Sequence, residues 1–492
     1  MQNLPYLTRE FPGVGGVIKQ RPEDFFVQEI PLYEPSGEGE HVYCEIQKVG
    51  LTTFDAVQQI ARALKVSTRD VGYAGMKDAR AISRQILSIW GTTPEAVMAL
   101  RLPNVTVLWA ARHGNKLRLG HLAGNRFAIK IREVDPMKVT TLRPLIDRIV
   151  KVGMPNYFGE QRFGRRGDND KLGAALIRDD YEGVLKLLLG SPNGEVDDQF
   201  SFAARRAFDA RDNAASMKAW PRRAGMERRV LARLMKTHRP SAAVRAVDEK
   251  VRRLWVSALQ SRVFNDVVAR RVDELHTLYD GDLAYKHANG ACFTVEDAAV
   301  EQRRADAWEI SPTGPLVGYR MSLPRGRELE IEQAALAAVD LKPEDFRKAG
   351  KHKVKGARRP LRVNPAVALT PVSTDAGAPP DDRPAVAEAP VRTEGGVDEH
   401  GSYITVAFAL PPGSYATVLL RELMKSGDEI APADHADSAD SAETAESAES
   451  PDGAGSENED SGSAGPDPEV RLGEDPAAEQ IGGIDASDLS DQ

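Results

Sequence analysis

Cysteine is nearly absent from this sequence: Cys44 and Cys292 are the only two in 492 residues, and they form no C-x-x-C. That excludes a disulfide framework and a thiolate zinc site, and it suits a reducing cytoplasm. The nine histidines are scattered, with no H-x-x-x-H or H-E-x-x-H spacing, so no protein-held catalytic metal is expected. No apolar run reaches the roughly 18 residues that a membrane span needs. The opening MQNLPYLTREFPG mixes acid and base without an apolar stretch, so no signal peptide is expected either.

Positive charge is also short overall, with a formal net of −8, but its distribution is uneven. Residues 428–492 carry 20 acidic residues against the single basic Arg471, a net of −19. The remaining 427 residues hold 64 Lys+Arg against 53 Asp+Glu, or +11. A basic body suits a polyanionic ligand such as nucleic acid. At 41% hydrophobic residues the chain can bury two or more cores.

Residues 17–30 read as an extended segment broken at Pro22, then a strand from Phe25, and residues 42–48 as a second strand. In LTTFDAVQQIARALKV, Phe54, Val57, Ile60, Ala61 and Leu64 fall on one helical face, and Thr52 or Thr53 can cap it. Residues 105–134 alternate as three antiparallel strands, VTVLWAA, KLRLG and the run from Phe127 to Ile131. At Pro155 the texture becomes helical and arginine-bearing, with 21 Lys+Arg against 14 Asp+Glu over 156–255. Arg222, Arg223, Arg228, Arg229 and Arg233 fit either a solvated helix face or a phosphate-tracking one. Short strands follow over 282–340, then a helix around ELEIEQAALAAV. Residues 364–398 read as a disordered loop. A strand, a Pro-Pro-Gly turn and an amphipathic helix close the patterned region, and the Ser-Ala-Glu/Asp tract beyond Lys425 reads as disordered.

The stretch that organises the rest is VGYAGMKDARAISRQILSIW, residues 71–90. Its centre, Gly75-Met76-Lys77-Asp78, puts a carboxylate in a turn beside cations, with Arg80 and Arg84 beyond. Such neighbours keep an acid ionised. Taken alone, the same four residues also describe an ordinary solvated turn.

Five stretches together resemble the TruD family of tRNA pseudouridine synthases: KQRPEDFFVQE (19–29), GYAGMKDARAISRQ (72–85), GNRFAIKIREV (124–134), PNYFGEQRFG (155–164) and LPPGSYATVLLREL (410–423). The resemblance implies an α+β fold. A pseudouridine-synthase catalytic domain with a mixed, largely antiparallel sheet would be interrupted by an inserted α/β domain of the TRUD type. The catalytic domain would comprise residues 1–155 and 361–427, the insertion 156–360 and an acidic tail 428–492. The arginine-rich 165–250 region, the 364–398 loop and the tail depart from the family pattern.

Pseudouridine formation breaks the uridine N1–C1′ bond, turns the uracil and rejoins it through C5, with no cofactor and no metal. The resemblance places the essential aspartate on Asp78, acting covalently, electrostatically or in proton removal at C1′. The target base must leave its stack, so an aromatic platform is expected. Phe127 is the platform candidate and Asn125 the hydrogen-bonding partner for the uracil edge or the loop. Lys19 or Lys77 would keep Asp78 ionised or bind a phosphate. Glu23 and Asp24 read as structural, since neighbours on a strand face opposite ways. Arg162 is a candidate for domain-junction packing or RNA contact, and Arg421 for an ion pair behind the site. The implied substrate is tRNA, at uridine 13 of the D-arm. An RNA-binding protein without activity and a glycosidase releasing uracil are the competing readings.

The acidic tail makes a prediction here. A polyanion tethered to a basic body competes with RNA at high effective concentration. Truncation after Ser426 is expected to raise affinity for random RNA at low salt, with the difference shrinking toward physiological ionic strength. Filter binding of full-length and truncated protein checks this, and equal affinities at low salt would refute it.

Overall fold

Alternation in the N-terminal third and in the last patterned strand becomes one large sheet. The computed structural model describes residues 4–348, 354–365 and 391–426. Its first part runs β1 (Phe25–Pro31), β2 (His41–Val49), α1 (Thr53–Leu64), β3 (Val71–Tyr73), β4 (Ile82–Trp90) and α2 (Pro94–Met98). It continues through β5 (Val105–His113), β6 (Leu122–Arg132), α3 (Leu142–Val152) and the short β7 (Met154–Pro155). Seven helices follow: α4 (Asn169–Ile177), α5 (Tyr181–Leu189), α6 (Gln199–Asp209), α7 (Asn213–Ala219), α8 (Gly225–Thr237), α9 (Pro240–Val244) and α10 (Glu249–Arg270). Next come β8 (Leu283–Lys286), β9 (Cys292–Thr294), α11 (Ala298–Asp306), β10 (Ile310–Leu316), α12 (Gly326–Ala337), α13 (Pro343–Lys348) and β11 (Ala357–Pro360). The chain returns through β12 (Arg362–Val363) and ends in β13 (Val391–Asp398), β14 (Gly401–Leu410) and α14 (Ala416–Met424).

Eight strands share one sheet in the order β13-β14-β6-β1-β4-β2-β5, with β3 also on β4. Among the described residues only β1 and β4 pair in parallel; the other pairings are antiparallel, as expected for a mixed, largely antiparallel α+β fold. β1 pairs with Ile82–Arg84 and β3 with Leu87–Ile89, so the two follow one another along a single edge of β4. A smaller antiparallel sheet, β11-β10-β8-β9, lies among the middle helices. β7 and β12 pair through Pro155–Arg362 and Met154–Val363, which brings together the two ends of the middle segment.

Two apolar clusters build the core on the large sheet. One joins β2, β3 and β4 to α1. The larger joins β1, β6 and β14 to α3 and α14, and continues into α4, α5 and α10. In α3, Leu142, Leu145, Ile146, Ile149 and Val152 are buried at helical spacing, each contributing about 1.5–3 kcal/mol. Helix α4 meets α10 backbone to backbone: a Cβ on Gly173 would lie 2.2 Å from the Trp255 carbonyl oxygen. Any larger residue there would push the two helices apart.

Four expectations need correction. Helix α1 is capped by Thr52 and Asp55 reciprocally, but its buried arc is Thr53, Ala56, Val57, Ile60 and Ala61, while Phe54 is 46% exposed. Thr53 is drawn inward by polar partners described below, and this rotates Phe54 to the rim. KLRLG forms no strand, because both edges of β6 are occupied by β1 and β14. That stretch instead crosses β3, with Leu117 N donating to Ser88 Oγ at 2.9 Å. Residues 391–398, expected in a loop, form the edge strand β13 along β14. An edge strand needs backbone pairing rather than an apolar pattern, and so it left no period to read. The remainder of that expected loop (366–390) and the acidic tail lie outside the described residues.

The arginine series, finally, is not one helix face. Arg222 and Arg223 precede α8, Arg223 pairs with Asp198, and Arg228 donates to the Met217 and Trp220 carbonyls at 2.8 and 2.7 Å.

Candidate active site

Strand register places the site. Lys48 pairs with Ser83, Ser83 with Val27, Val27 with Phe127, and Phe127 with Phe408. Directly paired residues share a face, so these five side chains cross the sheet in one row. Val27 and Phe408 belong to the larger apolar cluster, with Phe127 packed against it, and the row turns polar toward Lys48. There the buried side chains of Lys48, Ser83 and Gln85 form a polar strip beneath the loop joining β3 to β4.

That loop is held atom by atom. Gln85 Nε2 donates to the Gly75 carbonyl, and the Lys77 N–H donates to Thr53 Oγ1 at 2.9 Å. Lys48 Nζ donates to the carbonyls of Leu51, Lys77 and Asp78 at 2.6, 3.2 and 3.0 Å. Buried polar groups are thereby partnered, as they must be. The loop presents Asp78 with 30% of its side chain exposed.

Lys19 Nζ pairs with Asp78 Oδ2, and Oδ1 accepts the Arg80 N–H at 2.9 Å. Burial pushes the Asp78 carboxyl upward, but the Lys19 ammonium and the Arg80 N–H outweigh it and hold the group below the ordinary carboxylate value. Lys19 itself takes the left-handed backbone region, φ 58°, at a cost of about 1–2 kcal/mol for a non-glycine residue. Its ammonium lies 4.5 Å from the centre of the Phe25 ring. Phe25 meets Phe127 edge-on at 6.2 Å, and Phe127 stacks on Phe408 at 5.2 Å and 24°. Phe25 and Phe408 are buried, whereas Phe127 is half-buried, so of the three it alone keeps appreciable surface exposed.

The other expected residues separate clearly. Lys77 turns from Asp78 and pairs with the buried Glu29 at 2.7 Å. Burial raises the Glu29 carboxyl despite that lysine. Asn125 stands opposite Glu29 in the β1–β6 register, and its buried Oδ1 has no hydrogen-bond partner among the described residues.

Arg162 reaches across to α10, bonding Ser261 Oγ at 3.2 Å and Ser257 Oγ, at the junction where Phe158 and Asn265 exchange hydrogen bonds. Arg421 does not sit in the expected ion pair: it donates to the Leu4 carbonyl and stacks on Tyr6 at 3.9 Å. Asp24 is wholly buried and accepts from Arg132 Nε and Nη2 at 2.8 and 2.6 Å, while Arg132 also holds Asp398.

Sequence reasoning missed Lys48, Thr53, Gln85 and Glu29. For Lys48 a signal existed: it continues the alternation Val42, Cys44, Ile46 on the face that turns out to be buried.

An ionised carboxylate paired with Lys19, with a cluster of aromatic rings next to that lysine, is an arrangement that can stabilise positive charge developing near a planar ring. No three His, Cys, Asp or Glu among the described residues are placed to hold a metal ion. No helix among them is long and apolar enough to cross a membrane.

The family model for tRNA pseudouridine synthase D matches residues 2–423. A curated tRNA pseudouridine synthase D of Geotalea daltonii is 44% identical over 425 residues, covering 86% of this chain and 100% of that protein. One from Geobacter metallireducens is 45% identical over 425 residues, covering 86% and 98%. A crystal structure from Methanosarcina mazei, described as tRNA pseudouridine synthase D, superposes with a TM-score of 0.72 at 28% identity, covering 86% and 96%. The chain belongs to the tRNA pseudouridine synthase D family. The match ends before the acidic tail, which this chain adds beyond it.

Proposed function

We propose that this chain is an isomerase converting uridine to pseudouridine in tRNA, at uridine 13 of the D-arm, with Asp78 as the essential carboxylate. The observation that carries the reading is the Lys19–Asp78 pair, linked through the Phe25 ring to the half-buried Phe127. A flipped uracil rests on the Phe127 ring, with C1′ brought to the Asp78 carboxylate. Charge develops at C1′ as the N1–C1′ bond breaks, and an anion already present there needs no reorganisation to stabilise it. The uracil turns, C5 bonds to C1′, and C5 gives up its proton while N1 regains one. Asn125 Oδ1, buried and without a partner among the described residues, would accept from a donor on the uracil edge once the side chain turns toward the site. Lys19 has a second task in this reading, neutralising the adjacent phosphate.

The catalytic domain is read as residues 1–155 with 361–427, and the insertion as 156–360; the β7–β12 pairing supports that division. The basic body supports tRNA as partner, and the two buried free cysteines suit a cytoplasmic setting. Tritium release from C5-labelled tRNA, with mapping of pseudouridines in cellular RNA with and without this protein, tests the proposal. Modification elsewhere would overturn the position, and release of free uracil would overturn the reaction.

Phe127→Ala is expected to weaken substrate use by about 1–3 kcal/mol through lost stacking, with Phe127→Tyr close to wild type in kcat/KM. A tyrosine variant as poor as alanine would mean the ring serves the core instead.

A further inference from the structure

We infer that Lys48 is a positioning residue for the reaction: its ammonium fixes the backbone that aims Asp78 at the substrate. The inference rests on the reading of Asp78 as the catalytic carboxylate. Lys48 is fully buried near the end of β2, where an apolar residue would continue the pattern. Its ammonium gives three hydrogen bonds to carbonyls of two separate segments, Leu51 ahead of α1 and Lys77 with Asp78 in the catalytic loop. A lysine has three N–H donors and no acceptor, so all three are used and all point at backbone. Among these contacts Asp78 is reached through its carbonyl, while its carboxylate is left to Lys19 and the Arg80 N–H.

A clamp of this kind is expensive to bury and is retained here where the loop must not move. A misplacement of about 1 Å costs on the order of a hundredfold in rate. The groups facing the ammonium are Asp78 and Lys77 from the loop and Asp55 from α1. Burial lowers its pKa to about 8, with Asp78 and Asp55 opposing that shift and Lys77 adding to it; the three carbonyls also favour the charged form. The clamp is therefore charged at neutral pH and is discharged as pH rises beyond about 8. Stability moves the other way. The folded pKa lies below the ordinary 10.5, so the unfolded chain binds more protons between those values, and this group adds stability as pH rises through them. Loss of turnover without loss of fold is the signature.

The test is the single-turnover rate of C5 tritium release, measured from neutral to alkaline pH on full-length wild type, Lys48→Met and Lys48→Arg, with thermal melting alongside. Lys48→Met is expected to slow the step at least about tenfold, with tRNA Kd changed less than threefold. The wild-type rate is expected to decline above pH 8 while the protein stays folded. In Lys48→Arg that decline moves upward or vanishes, because a guanidinium keeps its proton.

A wild-type rate in the methionine variant would overturn the proposal. So would a flat wild-type profile, or a decline that the arginine variant leaves in place, which would belong to the uridine. If the methionine variant does not fold, the wild-type and arginine profiles decide. Asp78→Asn serves as the control: activity there overturns the functional reading, whereas a dead Asp78→Asn beside unaffected Lys48 variants overturns only the role of Lys48.

Discussion

Asp78→Asn is expected to lower single-turnover pseudouridine formation by about a thousandfold or more, the order for removing a group that acts directly on the transition state. Asparagine keeps the shape, and its carbonyl oxygen can still accept the Arg80 N–H now received at 2.9 Å. What disappears is the charge facing Lys19 and the substrate. The fold should persist, since the loop is hung from its backbone by Thr53, Gln85 and Lys48 rather than from the carboxylate. Affinity for tRNA should hold or rise slightly, because one negative charge leaves a surface that binds a polyanion. The pH dependence has a definite sign. A carboxyl held below its ordinary value adds stability above that value and loses it only as pH falls through the lowered one. Acid inactivation of the wild type therefore sets in below the ordinary aspartate range if Asp78 governs it. A rate within tenfold of wild type for Asp78→Asn would remove this residue from the chemistry.

What could be read from the sequence follows from what is local. Strands β1, β2, β4 and β14 were legible because alternation is written in neighbouring residues, and α1 because Thr52 and Asp55 form a recognisable cap. The order of strands was not, since β5 and β6 are close in sequence yet lie in different parts of the sheet. Edge strand β13 was hidden because its stability comes from pairing with β14 and from Asp398 meeting Arg132 and Lys130.

Within the site, Asp78 was legible only through the five motifs in order, as Gly-Met-Lys-Asp alone describes any turn. Lys19 and Lys77 could not be told apart by spacing: separating them takes a sheet that puts Glu29 against one and Asp78 against the other. Lys48 was written as a polar residue at an apolar position, a local conflict of the kind that marks a functional or strained site.

Arg271→Met is expected to destabilise the protein by about 3–5 kcal/mol, the usual cost of removing one member of a buried ion pair. Arg271 is 1% exposed at the end of α10. It reaches both oxygens of Asp282 at 3.3–3.4 Å, as well as Glu328 on α12 and the Thr277 carbonyl. Asp282 and Glu328 are themselves buried, so methionine would fill the volume and leave both acids without the cation they hydrogen-bond. Burial already raises Glu328 to about 8 with Arg271 present, and Asp282 is raised by burial as well. Without the arginine both acids take up protons more readily in the folded state than in the unfolded one. A raised acid loses stability as pH climbs from its unfolded to its folded pKa. Between the ordinary glutamate value and about 8 wild type and variant lose stability from Glu328 alike, so its share of the gap opens above pH 8 and closes as pH falls back to that value. Urea denaturation at a series of pH values measures this, and adding Glu328→Gln to the variant should recover part of the loss above pH 8. The contacts that hold Asp78 come from β2, β4, α1 and the Lys19 segment and involve none of these residues. Turnover per folded molecule should therefore match wild type, and a matching urea midpoint at neutral pH would show that the cluster carries no such energy.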